Sequence, residues 1–161
     1  MRSAIGLVLA LLLGSCGSDG HDHGAAGSGA AGAGGSNVVG CATDTRGMTY
    51  AANMELASKE GRLKLVLVSS DPAPPTKGNN NWVLKVTDAA GAPVSGATLD
   101  VKPFMPDHGH GTSIVPTITA AGDAFKIDNV NLFMAGLWQV TITVSAGSSS
   151  DFAVFAFCIP G

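Results

Sequence analysis

Trp138-Gln139-Val140-Thr141-Ile142-Thr143-Val144 and Trp82-Val83-Leu84-Lys85-Val86-Thr87 carry apolar side chains at alternate positions, with polar residues between them. A period of two is that of an extended strand with one face packed and the other wet. Working outward, turn signals follow at Asp88-Ala89-Ala90-Gly91 and Ala121-Gly122-Asp123. Further short apolar or alternating runs mark strands at Leu63 to Ser69, Thr98 to Lys102, Ile114 to Thr119, Ala124 to Val130 and Phe152 to Phe157. Met54 to Glu60 reads as a short helix. About seven strands with turns every ten or so residues predict an all-β fold, an immunoglobulin-like antiparallel β-sandwich. A small closed barrel is the competing architecture. Trp82 and Trp138 are expected to anchor the core, one in each sheet.

The chain ahead of these strands has a different character. Arg2, the apolar run Ala4 to Leu13 and then Leu13-Gly14-Ser15-Cys16 follow the order of a bacterial lipoprotein signal peptide. The run is about half the roughly twenty residues a membrane span requires. Residues 1–15 are therefore expected to be removed, and Cys16 to be acylated and to anchor the protein to a membrane. An ordinary secretory signal that leaves Cys16 free is the alternative. Residues 16–37 are almost wholly Gly, Ala, Ser and Asp with His21 and His23, a composition unable to bury a core. They read as a tether with a mean reach on the order of 25 Å, and residues 38–161 as a single domain. The expected location is the cell envelope, lipid-anchored on a periplasmic face or the cell surface.

Cys41 and Cys158 lie near opposite ends of that domain, in a compartment where thiols are oxidised. With Cys16 carrying lipid they form an even pair, and a disulfide between them is the simplest reading. Separate buried thiols are the alternative. A formal charge of −3 argues against nucleic acid as a partner.

All four histidines fall in two His-x-His pairs, His21-Asp22-His23 in the tether and His108-Gly109-His110 in the domain. The second pair belongs to Pro103-Phe104-Met105-Pro106-Asp107-His108-Gly109-His110-Gly111, whose prolines and glycines predict a shaped loop and not a strand. Met134 lies downstream in Leu132-Phe133-Met134-Ala135-Gly136-Leu137-Trp138. Thioether sulfur selects Cu(I), and imidazole serves copper and zinc alike. Met105, His108, His110 and Met134 could therefore form a copper site if the two segments fold together. Against this, methionines commonly fill irregular cores, and a tight turn can hold two imidazoles that bind nothing. Asp107 reads first as a turn former; with His108 and His110 it offers a less favoured zinc site. The tether histidines lack a fixed geometry. No nucleophile elbow and no phosphate-binding loop is present, so no enzymatic activity is expected.

The stretch Val101 to Gly111, followed by Asn131 to Trp138, resembles the YtkA-like domain of bacterial envelope proteins over roughly residues 60 to 157. In that family a Met-Pro-x-His-Gly-His-like loop precedes an aromatic-Met-x-Gly-x-Trp segment. The resemblance implies an immunoglobulin-type sandwich, an association with copper handling or oxidase assembly, and metal ligation by Met105, His108, His110 and Met134. Ala135 departs from the proline usual after the second methionine. A tethered, non-catalytic Cu(I)-binding domain is the leading expectation, with a copper-donor or copper-acceptor protein as partner. A metal-free protein-interaction or structural module is the alternative.

Overall fold

The computed structural model describes Cys41 and residues 43–161. The readings made for residues 1–15, Cys16, His21, His23 and the remainder of the 16–37 tether lie outside the described residues. Among the described residues, nine strands follow in chain order: β1 Met54–Ala57, β2 Leu63–Asp71, β3 Gly78–Asp88, β4 Thr98–Met105, β5 His110–Gly111, β6 Thr117–Ala121, β7 Ala124–Leu132, β8 Gly136–Ala146 and β9 Ser149–Ile159. They form two antiparallel sheets, one ordered β1-β2-β3-β7-β6 and the other β5-β4-β8-β9. The all-β sandwich is the architecture that the alternation predicts.

In β3 the side chains of Trp82, Leu84 and Val86 turn inward, and in β8 those of Trp138, Val140, Ile142 and Val144 do the same. These positions meet between the sheets. Trp82 of the five-stranded sheet packs edge-on against Phe155 and Phe157 of β9, with ring centroids 6.2 and 5.8 Å apart. Such contacts add to the apolar burial that dominates the stability of a sandwich. At one end of the sandwich the buried Asp151 carboxylate accepts from Ser58 Oγ at 2.6 Å and from the Glu60 amide at 3.1 Å, fixing the turn between β1 and β2.

The structure corrects three local expectations. Met54 to Glu60 is not helical: Met54–Ala57 is an edge strand, with Leu56 opposite Leu65 of β2. Four residues fit either period, and cross-strand pairing decided the outcome. The strand expected at Ile114 to Thr119 starts only at Thr117. Pro116 lacks the amide a ladder needs, and Ile114 and Val115 stand exposed before it. The Pro103–Gly111 stretch is mostly extended. Pairing with β8 carries β4 through Pro103 to Phe104, and Met105 pairs with His110 of β5, leaving only Pro106–Gly109 as a turn.

The first described segment lies against the last strand, as the cysteine positions suggest. Cys41 and Cys158 are joined in a disulfide with Cα atoms 5.3 Å apart. The Met48 amide donates to the Ala156 carbonyl at 2.7 Å. Gly47 permits the approach, since a Cβ there would lie 3.1 Å from the Cys158 backbone nitrogen.

Candidate functional site

The histidine turn closes on the carbonyl of Met105, which accepts from the amides of His108 at 3.3 Å and Gly109 at 2.9 Å. Gly109 supplies the left-handed conformation, φ +69°, that reverses the chain toward β5. Because the turn is so short, the two imidazoles stand side by side with centroids 5.7 Å apart.

The second segment, between β7 and β8, folds against this turn. The His110 ring stacks over Phe133 at 5.8 Å with an interplanar angle of 21°, and Phe133 meets Trp138 edge-on at 5.6 Å. Trp138 Nε1 donates to the Met134 carbonyl at 2.9 Å, which fixes the backbone of the Met134 turn. Gly136 sits beneath Met105: a Cβ on Gly136 would be 3.0 Å from Met105 Cε. Histidine loop and methionine turn are thus neighbours, joined through His110–Phe133 and through Met105–Gly136.

The four sequence-predicted ligands differ in setting. Met105 is fully buried and belongs to the core, and Met134 is half-buried and packed against it. Both therefore act as core fillers. His108 and His110 are half-buried. His110 Nδ1 lies 3.1 Å from the Gly111 carbonyl oxygen, an acceptor, so in the neutral ring Nδ1 carries the proton and Nε2 the free lone pair. His108 Nε2 is buried and has no hydrogen-bond partner. A buried nitrogen left without a partner is costly and calls for an explanation.

Asp107 is committed elsewhere. Arg46 Nη1 and Nη2 donate to its two carboxylate oxygens at 2.8 and 2.6 Å, while Arg46 Nε and Nη2 hold Asp44 at 3.0 and 2.8 Å. The hydrogen bonds from Arg46 hold the Asp107 carboxyl below the ordinary carboxylate range, with a smaller contribution from the charge of the same guanidinium. Asp44 is lowered by the same guanidinium, and Arg46 is raised in turn. Among the described residues, no three His, Cys, Asp or Glu side chains gather as a metal-holding group. Sequence reasoning missed Arg46, because nothing in the chain links position 46 to position 107 before the fold is known.

The model of the YtkA-like family matches residues 57–143, which includes the histidine loop, the methionine turn and most of both sheets. No curated protein matches the chain. Among solved structures, the crystal structure of a DUF4426 family protein from Pseudomonas aeruginosa PAO1 is similar at 16% identity and a TM-score of 0.46, covering 62% of this chain and 92% of that one.

Proposed function

The chain belongs to the YtkA-like family, and from that membership we propose that it is a lipid-anchored envelope protein whose domain binds Cu(I) and passes it on by ligand exchange, without bond chemistry on a substrate. Met105, His108, His110 and Met134 would hold the ion. The observation that carries the reading is the buried, unpartnered Nε2 of His108, standing beside a second imidazole whose Nδ1 hydrogen bond leaves the lone pair on Nε2. A metal ion is the natural partner for such an atom. The donor set is soft and neutral, which suits Cu(I). Phe133 stacks on His110 and meets Trp138 edge-on, holding the second imidazole against the methionine turn. Zinc is disfavoured, because both Asp107 oxygens already serve Arg46.

An anaerobic Cu(I) titration against a chromophoric chelator tests the reading. Stoichiometric uptake is expected, and replacing His108 and His110 together by Ala should abolish it. X-ray absorption of the loaded protein should count both sulfur and nitrogen neighbours. Full binding by the double variant would reject the site.

A metal-free interaction module is the second reading, favoured by the exposed Phe104, Ile114, Val115 and Phe133 on the segments flanking the histidine turn. It expects no chelator-competing uptake and a protein crosslinked through that surface. Anchoring through Cys16 is tested separately: Cys16→Ser should move the protein from the membrane to the soluble fraction and abolish palmitate labelling.

A further inference from the structure

We infer that Arg46 is a specificity-determining residue: by occupying both oxygens of Asp107 it withholds a hard third ligand from the histidine pair, and so keeps the site selective for a soft monovalent ion. The inference rests on the Cu(I) reading above and adds to it a residue outside the donor set.

Asp107 directly precedes His108 in the Pro106–Gly109 turn, and His110 follows at the start of β5. Two imidazoles and one carboxylate are a common ligand set for zinc, which binds both donor types at about 2.0–2.2 Å. Thioethers add little for such an ion, whereas they favour Cu(I). The stretch from Asp107 to His110 therefore carries the residue types of a divalent-metal site, which do not gather as one while Arg46 holds Asp107, and the state of Asp107 decides whether they can. The geometry assigns that state. The guanidinium takes Asp107 with two parallel hydrogen bonds, the planar match of which arginine alone is capable. Asp44, whose side chain is 1% exposed, grips the same guanidinium from the other side. Arg46 is itself held on the segment that the Cys41–Cys158 disulfide and the Met48–Ala156 hydrogen bond fasten to β9. Since the arginine side chain is 46% exposed, its ion pairs are weak as stabilising forces. Geometric occupation of the carboxylate is what the arrangement supplies.

The test measures Zn(II) and Cu(I) affinities by chelator competition on the intact protein, with His21→Ala and His23→Ala in every sample so that the tether contributes nothing. Arg46→Ala should raise Zn(II) affinity by about tenfold or more, within the range in which residues behind the ligands tune metal sites. Cu(I) affinity should change far less. Adding Asp107→Asn to Arg46→Ala should return Zn(II) affinity to the wild-type level, because the released carboxylate is then no ligand. A purely structural Arg46 would instead lower both affinities together, and that result overturns the inference. So does an unchanged Zn(II) affinity in Arg46→Ala, or a gain that persists when Asp107 is Asn. Should the wild-type protein take up no Cu(I), the parent reading fails, and the inference with it. Normal Cu(I) uptake with Zn(II) affinity unmoved overturns the inference alone.

Discussion

Gly136→Ala is the smallest change that should disturb both the sandwich and the site. Gly136 has φ +125°, a region L residues scarcely enter, and forcing alanine there costs on the order of 1–3 kcal/mol. The added methyl also lands 3.0 Å from Met105 Cε. Met105 is flexible but fully buried within the core cluster, so it can yield only by pushing its neighbours; overpacking of this kind costs about 1–3 kcal/mol. The two effects together predict a loss of about 2–6 kcal/mol, nearer the lower figure if the thioether tip swings aside. Denaturant unfolding of wild type, Gly136→Ala, Met105→Ala and the double variant separates them. The backbone strain should survive in the double variant, whereas the collision should vanish. The double variant is then less destabilised than the sum of the singles by about 1 kcal/mol or more. A Gly136→Ala protein within about 0.5 kcal/mol of wild type would refute the strain argument, and strict additivity would refute the contact.

Asp151 should govern the acid limb of stability. Burial pushes its carboxyl up, but hydrogen bonds from Ser58, the Glu60 amide and the Phe152 amide, with the charge of Arg62, outweigh burial and hold the pKa below the usual 3.8. A lowered folded-state pKa gives stability that is complete above the unfolded value and is lost as pH falls through the folded one, so unfolding should steepen below about pH 4. Asp151→Asn should flatten that limb and cost about 1–3 kcal/mol at neutral pH, measured by urea unfolding at a series of pH values. Replacing Cys41 and Cys158 by Ser opens a loop of 117 residues and should lower stability by about 2–5 kcal/mol, seen as a fall in Tm under non-reducing conditions that disappears when both proteins are reduced. Trp138→Phe keeps most of the apolar bulk but removes the donor to the Met134 carbonyl. It should cost about 1–3 kcal/mol and weaken Cu(I) binding about tenfold in chelator competition, and unchanged Cu(I) affinity would show that the Met134 turn does not depend on that hydrogen bond.

The sandwich was legible because its central strands leave no ambiguity of period. Trp82-Leu84-Val86 and Trp138-Val140-Ile142-Val144 repeat too often at spacing two to fit a helix, and these residues fill the middle of the core. The edges were harder to read. Met54–Ala57 is too short for its pattern to separate helix from strand, and its state depends on β2 lying beside it. Pro103 looks like a strand breaker, yet it sits within β4 because β8 pairs on through the proline. The disulfide was readable from the number and placement of cysteines. The pairing of Arg46 with Asp107 was not, since a contact across 61 residues leaves no trace in local composition.

The candidate site stands where these two kinds of information meet. Met105 is the last residue of β4, and its place in the alternation turns its side chain inward. Its carbonyl, by contrast, closes the histidine turn. One residue thus fixes the loop's position by packing and its shape by hydrogen bonding. Gly136 at the start of β8 leaves room for the thioether, and Trp138 two residues on ties the Met134 carbonyl to the same strand. The two loops do not approach each other as free segments. Each is the continuation of a core strand, β4 or β8, and those strands are already neighbours in one sheet. That the histidine loop and the methionine turn are neighbours at this end is therefore a consequence of sheet order. Any substitution that keeps β4 beside β8 should preserve it.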